Sequence, residues 1–288
     1  MNADTPGHVD TVLAQHIRDI DIPPRPAILA SVQTEMAADD PDLRRLEALI
    51  SADVALAAGL IKTVNSPFFG LSRRAATVQD ALMMLGLAST ARAVATFSLR
   101  RAFPDTGHFE RFWDSSAKVA GVSGWLTKRL GSLKLKADEA YTYGLFRDCG
   151  VVILMRRFPQ YQDTLKAANR ERERPFTEVE RQHLTTDHTV IGRLMARNWW
   201  LPDTLCDAIR HHHDREHLSG PDTVPSRTSR QLIAVGQLAE HLLQTTTGAS
   251  QTCEWLKLGP ACADILELSE DDLLTLRAEV GAQIAQMV

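Results

Sequence analysis

Asp148 is a carboxylate in a place where the pattern calls for an apolar side chain. Leu145, Asp148, Val152 and Met155 recur at helical spacing, which puts the acid on an apolar stripe. His188 has the same character, four residues after Leu184, three before Ile191 and seven before Met195. An inward carboxylate and an inward imidazole need partners, because an unpaired buried charge is costly. Two chemistries answer that need. They can hydrogen-bond to each other and merely stabilise a core, or both can face a transition metal, which takes about four to six ligands when held firmly.

His211, His212 and His213 stand in a row near a predicted helix end, where imidazolium complements the helix dipole. Adjacent helical residues point about 100° apart, so the whole run cannot enter one site. Arg147 precedes Asp148 and cannot ligate a metal, since guanidinium stays protonated. Beside a metal it would repel the ion, or replace it by pairing with Asp148 or a phosphate. On a surface it would simply snorkel.

The elements that must carry these residues read as helices, and no segment shows the sustained alternation of a half-buried strand. The expected fold class is all-α. Pro26 opens a helix over 27–36, and Leu43, Leu46, Leu49 and Ile50 mark the next apolar face. Asp53 caps a third helix that ends at Asn65-Ser66-Pro67, and Thr77 with Asp80 caps a fourth that stops at Gly86. A further helix follows over 89–103.

Beyond Gly107 come an apolar face from Phe109 to Leu126 and a helix over 137–158 stopped by Pro159. Thr177 with Glu180 reads as a capping box for a helix reaching Trp199 or Trp200. Pro202 resets the direction, and the next helix, from Asp203, carries the histidine run. The stretch 220–229 reads as a loop, followed by a helix over 231–243 and a last one capped by Ser269 with Asp272. The expected organisation is an N-terminal helical subdomain over 10–105, a second helical subdomain over 106–245, and a C-terminal helical extension over 246–288. Trp255, Leu258, Ile265, Leu266 and Leu268 imply that the extension packs rather than dangles.

The 288 residues, 44% hydrophobic and 24% charged, suit a globular chain, and a net charge of -4 excludes coating nucleic acid by bulk positive charge. Arg73-Arg74, Arg100-Arg101, Arg156-Arg157 and the run from Arg170 to Arg174 are isolated or interleaved with acids, as on solvated helix faces. No nucleic-acid partner is therefore expected. No run approaches the roughly 20 apolar residues of a membrane span, and residues 1–10 lack the apolar core of a signal peptide. Cys149, Cys206, Cys253 and Cys262 form no C-x-x-C pair and read as reduced, packed thiols. The expected location is the cytoplasm, without a membrane partner.

Taken together, these pieces resemble a known family. Tyr143-Gly144-Leu145-Phe146-Arg147-Asp148-Cys149-Gly150 resembles the Gly-Leu-Leu-His-Asp-Ile-Gly motif of the HD phosphohydrolase superfamily. With Asn65-Ser66-Pro67-Phe68-Phe69-Gly70, Val78-Gln79-Asp80-Ala81, Phe112-Trp113, Asp187 to Gly192, Trp200-Leu201-Pro202 and Ala208 to His213, the chain is similar to the HDOD domain. That domain is the HD-related output domain of bacterial signalling proteins, and the resemblance covers about residues 20–214. It implies an HD-like second subdomain.

The resemblance places the superfamily's metal-site positions at Ser115, Arg147, Asp148, His188, His212 or His213, and Gln237. Ser115, Arg147 and Gln237 are poor ligands or none. The implied protein is a degenerate, non-catalytic regulator acting through protein contacts in a signalling pathway, with no cofactor and no metal expected. Were a metal bound, Asp148, His188 and His212 would hold it, His213 assisting. Two alternatives stay open. One is a sensor that binds a nucleotide or phosphate in the remnant pocket through Arg147, His188 and His212, and the other is residual metal-dependent hydrolysis. The loop Asn65, Ser66, Pro67, Phe68, Phe69 and Gly70 is a candidate partner surface or an interdomain packing loop.

Overall fold

The computed structural model describes residues 21–65, 74–103, 109–220 and 227–285, and among them every regular element is helical. Helix α1 (Ala27–Met36) starts directly after Pro26, whose fixed φ suits that position. Asp42 accepts from the amides of Arg44 and Arg45 at 2.9 and 3.2 Å and opens α2 (Leu43–Ser51). Asp53 does the same for α3 (Val54–Val64), accepting from Leu56 at 3.0 Å. Each short side chain satisfies amides that the first helical turn leaves unpaired.

Thr77 and Asp80 form the expected reciprocal box at the start of α4 (Val78–Ala102). Gly86 interrupts α4 at φ 72°, a conformation that favours glycine, so the expected stop there is real although the chain resumes helically at once. By length and apolarity α4 is the one described helix that could cross a membrane. It is broken at Gly86, however, and Leu82, Val94 and Leu99 sit in the core against α1, α2 and α3. Asn65 closes the adjoining turn, its side chain exchanging two 2.8 Å hydrogen bonds with the backbone of Ala75. The other loop candidates, Ser66, Pro67, Phe68, Phe69 and Gly70, lie outside the described residues.

The remaining helices are α5 (Glu110–Leu130), α6 (Ala137–Phe146), α7 (Cys149–Arg157), α8 (Tyr161–Arg170), α9 (Phe176–His183) and α10 (His188–Asn198). They continue with α11 (Asp203–His211), α12 (Arg215–Ser219), α13 (Arg227–Thr247), α14 (Glu254–Leu266) and α15 (Glu270–Ala285). Helix α5 pairs with α6, α13 lies across both, and α14 and α15 pack on α13. One hydrophobic core runs without interruption from Ile22 to Ile284. Trp199 is fully buried and donates its indole N–H to the carbonyl of Pro23 at 3.1 Å, tying the end of α10 to the chain entering α1.

Two sequence expectations need correction. The helix predicted over 137–158 is two helices, because the chain leaves helical geometry at Asp148 (φ -102°, ψ 12°). Just beyond, Gly150 meets the backbone of His188 so closely that an added Cβ would sit 2.0 Å from the His188 carbonyl oxygen. That crossing of α7 on α10 takes Asp148 off a continuous stripe with Leu145. The helix predicted from Thr177 to Trp199 is also two, α9 and α10. The first ends at His183, where Leu184 turns extended, and Asp187 caps the second, accepting from Thr189 and Val190 at 3.0 Å each, while Glu180 turns into the core instead of capping Thr177.

Candidate functional site

The breaks that interrupt those helices converge on one place. Asp148 lies between α6 and α7, His188 is the first residue of α10, and His212 ends α11. Their donor atoms meet there. His212 Nε2 is 3.2 Å from Asp148 Oδ1, His188 Nε2 is 3.6 Å from the same oxygen, and the two Nε2 atoms are 3.2 Å apart. Both rings are aimed from behind. His188 Nδ1–H donates to Glu180 Oε2 at 2.8 Å, and His212 Nδ1–H donates to the carbonyl of Ile209 at 2.8 Å. Outer partners of this kind fix the ring orientation and point Nε2 into the site.

His213 joins from the other side. Its ring stacks on Phe176 at 4.6 Å, and its Nδ1 lies 2.6 Å from Glu254 Oε2 at the start of α14. Ligand-capable atoms of Asp148, His188, His212 and His213 all lie within 4.8 Å of one another. Glu180 in turn accepts a short hydrogen bond from the buried hydroxyl of Tyr161.

A cation of the protein's own stands against this cluster. Arg147 is 4% exposed, and its Nη2 lies 3.1 Å from Asp148 Oδ2 and 2.9 Å from Glu240 Oε1. Burial opposes ionisation of Asp148, but Arg147 and His212 outweigh it and hold the carboxyl well below its ordinary value. Glu240 shares the same guanidinium without histidine support, and burial pushes it up despite Arg147. Burial also disfavours charge on His188, yet Glu180 and Asp148 overcome that and push it up to about 9. For His212 burial outweighs the nearby Asp148 carboxylate, and the value falls.

The spacing of the donor set suits one metal ion. Tetrahedral coordination at about 2.0–2.2 Å places ligand atoms roughly 3.3–3.6 Å apart. The separations of 3.2, 3.2 and 3.6 Å among Asp148, His212 and His188 fit a single ion. Asp148 Oδ2, its other oxygen, is paired with Arg147.

Two further expected site positions flank the cluster. Gln237 donates to the backbone carbonyl of His212 at 3.0 Å and so positions that residue. Ser115 lies across the cleft and shares a 3.3 Å hydroxyl contact with Ser250. Sequence reasoning missed Glu180, Glu240 and Glu254. The cleft in front of Asp148 is a cavity of about 380 Å³ reached by Phe112, Ser115, Arg147, His188 and Glu240. Behind His213 and Glu254, which line both spaces, lies a second cavity of about 600 Å³.

Comparison with known proteins adds three findings. The HDOD domain family matches residues 22–215. An uncharacterized protein of Treponema pallidum (strain Nichols) is 30% identical over 210 residues, 72% of this chain, and this chain spans 41% of that relative's length. The crystal structure of a proposed phosphohydrolase from Shewanella amazonensis SB2B superposes with a TM-score of 0.67 at 21% identity, covering 96% of each chain. That of an HDOD domain protein of unknown function from Geobacter sulfurreducens gives 0.64 at 21% identity, covering 96% of this chain and 95% of the other. At such identity the two structures establish the all-helical fold.

Proposed function

This chain belongs to the HDOD domain family, and from that premise we propose that it is a non-catalytic regulatory protein working through protein contacts. The observation that carries the reading is Arg147, which stands where the HD pair has histidine and bonds both Asp148 and Glu240. Metal-assisted hydrolysis needs an activated water on an open coordination position. A fixed guanidinium on the second oxygen of Asp148 opposes a dication there. The charges instead neutralise one another, as a framework that presents surfaces rather than reacting.

A second reading has one specific observation in its favour, the spacing of Asp148, His188 and His212. Those residues would hold a single transition-metal ion, which when bound supplies Lewis acidity. Glu180 and Ile209 would keep both imidazoles in the ligating orientation.

Elemental analysis of the purified chain, beside Asp148→Ala and a panel of phosphodiester substrates, separates the readings. The regulatory reading expects neither stoichiometric metal nor hydrolysis. Metal lost in Asp148→Ala, without turnover, would support the second reading. Metal-dependent turnover abolished in that variant would overturn the first.

A further inference from the structure

The larger cavity, about 600 Å³, lies on the far side of the His213–Glu254 pair from the Asp148 cleft. Its volume falls in the range of small-molecule sites, about 300–1,000 Å³. Arg172, Arg181, Arg210, Arg215 and Lys257 all line it. Their pairing separates structural cations from available ones. Arg181 is bound to the buried carboxylate of Asp187 at 2.8 Å, and Lys257 to Glu254. Arg172, Arg210 and Arg215 have no carboxylate ion-pair partner among the described residues. Arg210 is nonetheless held in place, donating to the hydroxyl of Thr189 at 3.0 Å.

The acids of the same cavity leave an excess of one positive charge in its lining, and two of them are already engaged. Asp214 caps α12, accepting from the amide of His217 at 3.1 Å, and Glu254 is engaged by His213 and Lys257. Glu173 and Glu216 complete the four acids, set against five cations, of which Arg172, Arg210 and Arg215 are the ones outside an ion pair. Guanidinium offers a planar fork of donors that matches phosphate oxygens two at a time. Pro175 and Leu256, the latter 61% exposed, give the cavity an apolar side as well.

We propose that this cavity is a binding site for a small phosphate ester of nucleotide size, its phosphates on Arg172, Arg210 and Arg215 and its apolar portion against Pro175 and Leu256. The site is separate from the remnant HD cleft and does not depend on that cleft's chemistry. It shares the His213–Glu254 wall with it, so a ligand here would sit one residue layer from the Asp148 cluster.

The test is isothermal titration of the full chain with ATP and with inorganic pyrophosphate. The Arg172→Ala/Arg215→Ala double variant removes exposed side chains and should keep the fold, which circular dichroism checks. Arg111→Ala, on the inner cleft, is the control. The expected result is saturable binding of ATP, tighter than pyrophosphate, weakened about tenfold or more in the double variant, a loss of about 1.4 kcal/mol or more. Arg111→Ala should bind as the parent does. Absence of binding for both probes at millimolar concentration would overturn the proposal. So would binding that survives the double variant or is lost in Arg111→Ala.

Discussion

His213 Nδ1 lies 2.6 Å from Glu254 Oε2, and the two residues come from parts of the chain with different standing. His213 is inside the stretch that the HDOD family matches, residues 22–215, whereas Glu254 opens α14 beyond it. The C-terminal segment is thus built into the wall of the site. Glu254 is 2% exposed and also holds Lys257. Replacing it by alanine strands a buried ammonium and an imidazole, so Glu254→Ala should lose about 3 kcal/mol of stability in urea unfolding. Glu254→Gln, which retains an acceptor for His213, should lose clearly less. Equal stability of Glu254→Ala and the parent would show that the contact carries no weight.

Arg147 neutralises two carboxylates at once, Asp148 and Glu240. Removing the cation leaves the half-buried Glu240 without a cation and Asp148 with only its histidines, and Arg147→Leu should cost about 3 kcal/mol. The loss should be smaller in the Arg147→Leu/Glu240→Leu pair, because one stranded charge is gone. A double-mutant cycle in denaturant measures that coupling. Additive losses would mean that Arg147 acts through packing alone.

Asp148 and His188 are legible in the sequence because each breaks an apolar pattern, whereas His212 and His213 enter the site through the family resemblance. The glutamates are not legible there. Glu180 sits three residues after Thr177, the spacing of a capping box, and only the break at Asp187 turns it onto His188. Glu240 and Glu254 meet Arg147 and His213 across long sequence distances, which no local period encodes. The caps at Asp53, Thr77 and Ser269 were legible for the opposite reason, since their partners lie within three residues. The split of the 137–158 helix was hidden because Leu145, Asp148 and Val152 keep helical spacing across it.

Gly150 sets how closely α7 approaches the start of α10. A Cβ there would fall 2.0 Å from the His188 carbonyl oxygen and 2.9 Å from the Gly192 amide nitrogen, both backbone atoms that cannot swing away. Gly150→Ala should therefore force the helices apart at a cost of about 3 kcal/mol or more. His188 would move with α10. The thermal midpoint should drop, and in imidazole NMR spectra the His188 resonance should shift further than that of the distant His241. A variant as stable as the parent would contradict the close crossing.

Glu171 organises the rim of the larger cavity. Its carboxylate accepts from the amides of Arg172, Glu173 and Arg174, and from the Arg174 side chain at 2.7 and 2.9 Å. The Glu173 amide, then Arg174, holds it down to about 2 from the ordinary 4.5. A folded value below the unfolded one means that the unfolded chain binds the proton more readily. The contribution is therefore complete above pH 4.5 and is lost as pH falls toward 2. Carboxyl NMR should find Glu171 titrating near the bottom of that window. Glu171→Gln should flatten the acid dependence of local amide exchange at Arg172 to Arg174, because the group that loses its charge is gone. Unchanged dependence would place the acid sensitivity of this rim on another carboxylate.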